Sequence, residues 1–217
     1  MTSFEIPILF QNDDIVVVDK PVGISIHNTE DTANLLSILG RQLGSKRLFP
    51  VHRLDKETSG IQIFAFNEIA AATYASEFQT RSVRKIYVGI LRGSLKNDHG
   101  VWTQPLSDRA EGRLNPAGLA KDRVPCETRF TVLERSKFFT FCEFDLMTGR
   151  QHQIRKHCAI AKHALVGDAR YGDGKYNGRM ADIYGDSRMF LHCREIELAG
   201  HVFTASTPAI FHQLMNH

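Results

Sequence analysis

The stretch from residue 127 to residue 146 constrains the fold of this chain most. ETRFTVLER and FFTFCEFDL follow each other there, and both are rich in the β-branched and aromatic residues that favour strands. Strands that are adjacent in sequence and joined by a short turn pair antiparallel. We therefore expect an antiparallel strand pair in this part of the chain.

Other segments predict a mixture of strands and helices. IVVVDK is typical of a strand that ends at Lys20, because Pro21 resists continuing a central ladder. MFLHCREIELAGHVFTAS resembles a hairpin that turns near Gly200, whereas DARYGDGKYNGRM is typical of a loop. Thr148 is a suitable cap for a helix that follows it. Strands are expected over 15–20, 60–66 and 84–91, and helices over 33–43, 67–79 and about 150–162.

The order of these elements indicates an α+β fold. Strands outnumber helices and do not alternate with them regularly, so we expect a mixed, largely antiparallel central sheet with flanking helices. Residues 93–124 form an irregular, charged excursion without an interpretable motif. No linker rich in Gly, Ser or Pro divides the chain, so residues 1–217 are predicted to form a single domain.

Composition limits the class of protein. A hydrophobic fraction of 42% and a charged fraction of 24%, without an apolar run near the ~18 residues of a membrane span, predict a soluble protein and no membrane partner. The N-terminus lacks a secretory signal pattern, so a cytoplasmic location is expected. The four cysteines are scattered and predict reduced, buried thiols. A net charge of +3 permits a nucleic-acid partner without requiring one.

Four polar clusters lie at the ends of apolar elements. They are HRLD (52–55), RSVRKIY (81–87), RQHQIRKH (150–157) and RYGDGKYNGR (170–179). Any one of them is more simply a solvated edge. If all four converged on one surface, they would indicate a functional site, because loops on a rigid base commonly carry functional groups.

Asp55 has two interpretations. It can be a turn aspartate that caps backbone amides before Thr58. Alternatively, it can be a carboxylate kept ionised by a nearby guanidinium and acting as a nucleophile or a general base. Only Glu57 lies close to it among the other acids, so the two-carboxylate pattern of a glycosidase is not indicated.

The RQHQIRKH cluster argues against a metal site. His152 and His157 are five residues apart, which does not place both imidazoles on one helical face as HExxH does. No metal is therefore expected. A helix that begins near Gly149 and Arg150 can instead offer amide donors and basic side chains to a phosphate.

Six segments then resemble one known family. HRLDKETSG is very similar to the HRLDxxTSG segment of the RluA family of pseudouridine synthases, which convert uridine in RNA to its C-linked isomer. The other segments follow in family order: VVVDKPVGISIH resembles the opening KPxG segment, RKIYVGIL the RxY segment, TGRQHQIRKH the TGRxHQxRxH segment, VGDARYGD the GDxxYG segment, and FLHCREIEL the LHxxxL segment.

The resemblance implies roles for five residues. Asp55 corresponds to the catalytic aspartate, Tyr87 to the tyrosine that stacks on the target base and is a proposed acceptor of the C5 proton, and Arg155 to the arginine paired with the aspartate. Ile154 corresponds to the aliphatic residue that packs on the flipped uracil. Arg53 resembles the arginine that enters the RNA stack as the uridine leaves.

The resemblance also implies further contacts with substrate in an active-site cleft. Candidate substrate-binding residues beyond those five are His52, Thr58, Lys85, Arg150, His152 and Lys156. The candidates for RNA phosphate contacts are Lys20, Arg81, Arg84, Lys85, Arg150, Lys156, Arg170 and Lys175. Thr58 and Ser59 are expected mainly to fix the turn, and Lys85 is a partner either for phosphate or for a carboxylate.

The resemblance leaves the RNA target open. The first family segment begins by residue 16, which predicts the short form of the family without an N-terminal RNA-binding domain. This form occurs in enzymes that act on ribosomal RNA, our first expectation, and on transfer RNA, a close second. We expect no cofactor and a monomer. The alternative is a non-catalytic RNA-binding or ribosome-assembly protein with the same fold.

Overall fold

The computed structural model describes residues 5–27, 34–80 and 82–216. The strands are β1 Ile8–Gln11, β2 Ile15–Lys20, β3 Phe49–Pro50, β4 Ser59–Ala65, β5 Arg84–Arg92, β6 His99–Trp102, β7 Leu106–Ser107, β8 Arg123–Val124, β9 Thr128–Arg135, β10 Phe139–Leu146, β11 Leu191–Leu198 and β12 His201–Thr204. The helices are α1 Leu35–Gln42, α2 Glu68–Thr80, α3 Gln153–Ile160, α4 Gly174–Tyr184 and α5 Ala209–Met215. The predicted α+β class with a mixed, largely antiparallel sheet is confirmed.

The chain divides into two compact units. Among the described residues, unit 1 comprises the chain up to Arg84 together with Cys193–Ser206, and unit 2 comprises Lys85–His192 together with the residues from Thr207 onwards. The prediction of a single domain stays a prediction.

Unit 1 is organised around the buried strands β2 and β4. β2 pairs antiparallel with both β1 and β4, β11 lies on the other side of β4, and β12 forms a hairpin with β11. Val16, Val17 and Val18 are fully buried, and every residue of β4 is buried. The hairpin predicted near Gly200 is confirmed, with Ala199 and Gly200 both at positive φ in its turn.

Gly60 is required by the close approach of two backbones in unit 1. Its φ is +108°, and a Cβ atom built there would lie 2.2 Å from the carbonyl oxygen of Cys193. Real Cβ atoms do not approach backbone that closely, and L side chains rarely adopt this φ. The glycine that ends HRLDKETSG therefore lets β4 pack beside the start of the 193–198 strand segment.

Unit 2 contains the strand order β5-β10-β9-β6, in which every pair is antiparallel. The predicted antiparallel pairing within 127–146 is confirmed as β9 and β10. One face of β5 and β10 contributes Val88, Ile90, Phe139 and Phe141 to a hydrophobic cluster completed by α5. Side chains alternate between the faces of a strand. Tyr87, which is paired with Phe144, therefore belongs to the opposite face.

Three expectations about local structure were wrong. Residues 174–184 form α4 rather than a loop, because Asp173 caps its start by accepting a hydrogen bond from the Tyr176 amide and Gly185 ends it at a φ of +70°. α3 begins at Gln153, and its N-cap residue is His152, at a φ of +56°. Thr148 therefore does not cap it; its hydroxyl donates to Gln153 Oε1 at 2.7 Å and accepts from the Glu127 amide at 3.0 Å.

Candidate catalytic and RNA-binding site

Asp55 lies in a turn of unit 1 whose backbone is fixed from several sides. The amide of Thr58 donates to the carbonyl of Asp55 at 3.1 Å, and Thr58 is almost fully buried. The buried side chain of Gln62 donates to the carbonyl of His52 and accepts from the amide of Leu54. The residues on either side of Asp55 are thus held by β4, which limits the conformations of the turn.

Lys20 fixes the same turn from β2. Its side chain is completely buried, and Nζ donates to the carbonyls of Pro21, Ile24 and Lys56 at 2.9, 3.0 and 3.2 Å. The amide of Gly23 also donates to the carbonyl of Lys56. The prediction that Lys20 contacts phosphate was wrong, because its ammonium group is enclosed and hydrogen-bonded to protein.

His52 and Arg53, the first two residues of the HRLD segment, have different surroundings. Arg53 is exposed, as a side chain that enters an RNA stack needs to be. His52 stacks on Phe78 with the ring centres 4.7 Å apart, and its Nε2 accepts from the amide of Ile63 at 3.2 Å. These contacts give His52 a structural role in holding the segment against α2 and β4.

Tyr87 lies on β5 in unit 2, on the sheet face over which α3 packs. Phe144 shares that face. The ring centre of Trp102 lies 6.1 Å from that of Phe144 and 6.2 Å from that of His157 on α3. Tyr87 and Ile154 are both buried, with exposed fractions of 8% and 4%. Unit 2 therefore places Tyr87 and the helix that carries Ile154 and Arg155 on one face of its sheet.

Arg155 forms a buried bidentate ion pair with Asp168. Its Nε donates to Asp168 Oδ2 at 2.8 Å and its Nη2 to Oδ1 at 2.9 Å. Asp168 Oδ1 also accepts from the amides of Arg170 and Tyr171. Burial raises the pKa of Asp168, but the hydrogen bonds and charge of Arg155 and the two amide donors outweigh burial and hold it below its usual value. Asp168, in the VGDARYGD segment, therefore fixes the orientation of the Arg155 guanidinium. The sequence analysis did not identify it as a residue of the site.

His152 and Tyr171 border the same arginine. His152 Nδ1 and the Tyr171 hydroxyl are hydrogen-bonded at 3.0 Å, and the Tyr171 ring centre lies 5.4 Å from the guanidinium carbon of Arg155. Tyr171 is 2% exposed, so it packs beneath its loop.

The surroundings of Lys156 argue against the predicted contact with phosphate. It is completely buried, and its Nζ donates to the carbonyls of Ser107 and Arg109 at 2.8 and 2.7 Å. His157 Nε2 lies 3.0 Å from the carbonyl of Gln104, and desolvation lowers the pKa of His157, which favours the neutral ring. The excursion thus supplies backbone acceptors that anchor α3.

The start of α3 is also occupied by protein contacts. The amide of Arg150 donates to Gln153 Oε1, and the amide of Gln151 donates to Asp108 Oδ1. Arg150 Nη1 lies 3.7 Å from Asp108 Oδ2. Both amides already have acceptors within the protein, which argues against their expected use as phosphate donors.

The other expected phosphate contacts have different surroundings. Lys85 is 7% exposed, and such burial is unsuited to a contact on an open surface. Arg84 Nη1 lies 3.6 Å from Glu195 Oε1, so this arginine is paired with a carboxylate. Arg170 and Lys175 are exposed, and Arg170 donates to the carbonyl of Ala110. Arg81 lies outside the described residues.

The four cysteines are free and buried, as expected from their spacing. Burial raises the pKa of Cys142 to about 12, so its thiol stays protonated. Within the ranges 5–27, 34–80 and 82–216, no group of His, Cys, Asp and Glu side chains is arranged to hold a metal ion.

Comparison with known proteins identifies the family. A family model described as RNA pseudouridylate synthase matches residues 14–160, or 147 of the 217 residues. The chain belongs to the RNA pseudouridylate synthase family. The match includes Asp55, Tyr87, Ile154 and Arg155 and confirms the resemblance to RluA-type pseudouridine synthases.

Curated pseudouridine synthases match most of the chain. The tRNA pseudouridine synthase C of Vibrio parahaemolyticus is 30% identical, with 94% of this chain and 88% of that protein covered. The ribosomal large subunit pseudouridine synthase C of Vibrio vulnificus is 31% identical, with 87% of this chain and 60% of that protein covered. These matches support an RNA uridine isomerase over the non-catalytic alternative.

A solved pseudouridine synthase structure has the same fold. Human RNA pseudouridylate synthase domain containing 4 superposes with a TM-score of 0.79 at 24% identity, covering 96% of this chain and 91% of that one. At this identity the likeness establishes the fold.

Proposed function

We propose that residues 1–217 form one catalytic domain that isomerises specific uridines in structured RNA, with Asp55 as the nucleophile. The observation that carries this proposal is that each unit holds one of the proposed catalytic groups in place: unit 2 fixes the guanidinium of Arg155, and unit 1 fixes the turn of Asp55. Arg155 is held by two hydrogen bonds to Asp168, and the turn of Asp55 is held by Lys20 and Gln62. The family match spans residues of both units, which supports a single domain.

The proposed chemistry requires no external group. The carboxylate of Asp55 attacks the nucleoside, at the ribose C1′ or by an acylal or glycal route, and the bond between C1′ and N1 breaks. The uracil turns while it remains bound, and its C5 then displaces the Asp55 carboxylate from C1′, so that the bond to Asp55 breaks as the bond between C1′ and C5 forms. The C5 proton leaves, and N1 gains a proton. Tyr87 provides an aromatic face for the base and the acceptor for the C5 proton, and Ile154 provides an aliphatic wall.

Base extrusion is the second requirement. Removing uridine from its stack costs a few kcal/mol, least in loops and bulges, so structured RNA with an accessible uridine is the expected substrate. Arg53 is exposed and can fill the vacated space in the stack. Relatives named for transfer RNA and for ribosomal RNA match at 30% and 31% identity, so both RNA classes remain candidates.

Release of tritium from uracil C5 tests the proposal directly. RNA transcripts labelled at C5, one set from transfer RNA and one from large-subunit ribosomal RNA, are incubated with the wild type and with Asp55→Asn. We expect release by the wild type and a loss of at least about 1,000-fold in the variant, because the variant cannot attack the nucleoside. Equal release by both proteins would reject Asp55, and no release from total cellular RNA would reject the synthase.

We further propose that the protein works in the cytoplasm as a monomer. None of the described helices is long and apolar enough to cross a membrane. Fractionation of cells and sedimentation of the purified protein check these two points, and a membrane-bound or dimeric protein would contradict them.

A further inference from the structure

Unit 2 contains a cavity of about 200 Å³ at the ends of β5 and α3. Asp55, Tyr87 and Arg155 are not among its lining residues. Its wall combines the end of β5, the residues that follow α3, the first turn of α4 and one residue of the excursion. The charged lining residues are Arg92, Arg113, Lys162 and Asp173, and Tyr176 supplies an aromatic ring. We call this cavity the basic pocket.

The basic pocket carries an excess of positive charge. Three cations face one carboxylate, which leaves a net charge of +2. Arg113 is paired with Asp173, their nearest atoms being 2.7 Å apart. In the described parts of the chain, no carboxylate lies within ion-pair distance of Arg92 or Lys162. Two cations in one concave site raise the local concentration of anions.

Arg92 is held in place before any ligand arrives. Its guanidinium carbon lies 4.3 Å from the ring centre of Tyr176, which is half-buried at the first turn of α4. Stacking on an aromatic ring restricts the guanidinium while leaving its N–H donors available. Less conformational freedom is then lost when an anion binds.

The size of the pocket limits its ligand. Pockets for drug-sized molecules usually measure about 300–1,000 Å³, so a cavity of about 200 Å³ suits a compact anion better than a whole nucleotide. A single phosphate group has that size and matches the donors of Arg92 and Lys162. The pocket is therefore suited to one phosphate.

We propose that the basic pocket binds one phosphodiester group of the substrate RNA, next to the target nucleotide. The proposal rests on the proposed function. Tyr171 supports the placement, because it lines the pocket and its ring also lies 5.4 Å from the guanidinium carbon of Arg155. A phosphate held there positions the RNA without reading its sequence, as backbone contacts generally do.

Two variants test the pocket without disturbing the fold. Lys162 has a φ of +68°, a conformation that glycine adopts readily, so Lys162→Gly removes the charge without adding backbone strain. Arg92→Gln removes the other charge while keeping a polar side chain. Thermal unfolding of both variants confirms that they are folded.

The readout is the salt dependence of RNA affinity. A 3′-labelled, unmodified transfer RNA transcript is titrated with each protein at several KCl concentrations, and binding is followed by fluorescence anisotropy. We expect each variant to bind about 3- to 10-fold more weakly at 0.1 M salt, and the slope of log K against log[salt] to fall in magnitude by about 1. A slope and affinity equal to those of the wild type would overturn the proposal.

A charge-matched control separates a local contact from a general loss of charge. Lys137 is exposed in the turn between β9 and β10 and does not line the pocket. We expect Lys137→Gln to retain the affinity and slope of the wild type. Equal effects of Lys137→Gln and the pocket variants would reject a specific phosphate contact.

Inorganic phosphate distinguishes the two sources of this chemistry. The melting temperatures of the wild type and of Lys162→Gly are measured with and without 10 mM phosphate at fixed ionic strength. If phosphate stabilises only the wild type while both proteins bind RNA with equal affinity, the pocket binds free phosphate and the RNA proposal fails. Tritium release by the wild type with unchanged pocket-variant slopes rejects the pocket alone. Absence of tritium release rejects the synthase, whereas a smaller slope in the variants still supports the phosphodiester contact.

Discussion

Arg155 and Asp168 are each almost completely buried, and this burial decides what the removal of either one will do. Removing one partner of a buried pair leaves an uncompensated charge and costs about 3–5 kcal/mol. We therefore expect Asp168→Asn and Arg155→Gln each to lower the free energy of unfolding by that amount in urea denaturation. The double variant should lose less than the sum, with a coupling on the order of 2 kcal/mol.

An exposed pair provides the control for this double-mutant cycle. Arg47 and Glu68 lie 3.6 Å apart with side chains 78% and 74% exposed. Their coupling should be below about 1 kcal/mol, because water screens the attraction. Simple additivity at Arg155 and Asp168 would show that they do not stabilise one another.

The lowered pKa of Asp168 adds a dependence on pH to the same pair. A carboxylate with a folded-state pKa below its usual value of 3.8 stabilises the fold above that value, and the contribution is lost as the pH falls through the folded-state pKa. Below pH ~4, the wild type should therefore lose free energy of unfolding more steeply than the double variant. Parallel curves between pH 3 and pH 5 would contradict this assignment.

At the scale of single elements, Gly60 tests how closely the strands of unit 1 approach. In Gly60→Ala the new methyl group would meet the backbone of Cys193 at 2.2 Å in a disfavoured φ, so a loss of about 3 kcal/mol or more in the free energy of unfolding is expected. Gly174→Ala is the matched control. Nothing lies within 4 Å of its Cβ position at the start of α4, so it should be neutral or stabilising by up to about 1 kcal/mol.

Elements whose apolar pattern matches their burial could be predicted from sequence. β2, β4, β5 and β10 were found because their apolar residues are buried as the pattern requires. β9 was found from its β-branched and aromatic residues, although its Leu133 is exposed. α4 was missed because Gly174 and Gly178 lower helix propensity, while the caps at Asp173 and Gly185 that define the helix are easily read as turn residues.

The lysines show why part of the site could not be predicted. Lys20 and Lys156 stand in segments that resemble motifs of the family. Each Nζ nevertheless donates to carbonyl groups distant in the chain, that of Lys56 for Lys20 and those of Ser107 and Arg109 for Lys156. The excursion lacked a recognisable motif because it contributes mainly backbone oxygens to α3, and any residue type can supply those. Asp168 was missed because its partner lies on another element.

At the scale of the whole molecule, the proposal of one domain predicts how the chain unfolds. If both compact units belong to one cooperative domain, probes in each unit will report the same transition. Trp102, the only tryptophan of the chain, lies in unit 2 and stacks on Phe130 at 4.6 Å, so its fluorescence reports that unit. In the double variant that carries both Trp102→Phe and Phe66→Trp, the only tryptophan lies in unit 1. Circular dichroism reports the unfolding of the whole chain and so accounts for any change of stability in the double variant. We expect the fluorescence midpoint in urea to equal the circular-dichroism midpoint in both proteins. Separate midpoints for fluorescence and circular dichroism would show that the two units unfold independently, and the single-domain proposal would then fail while the assignment of the family would stand.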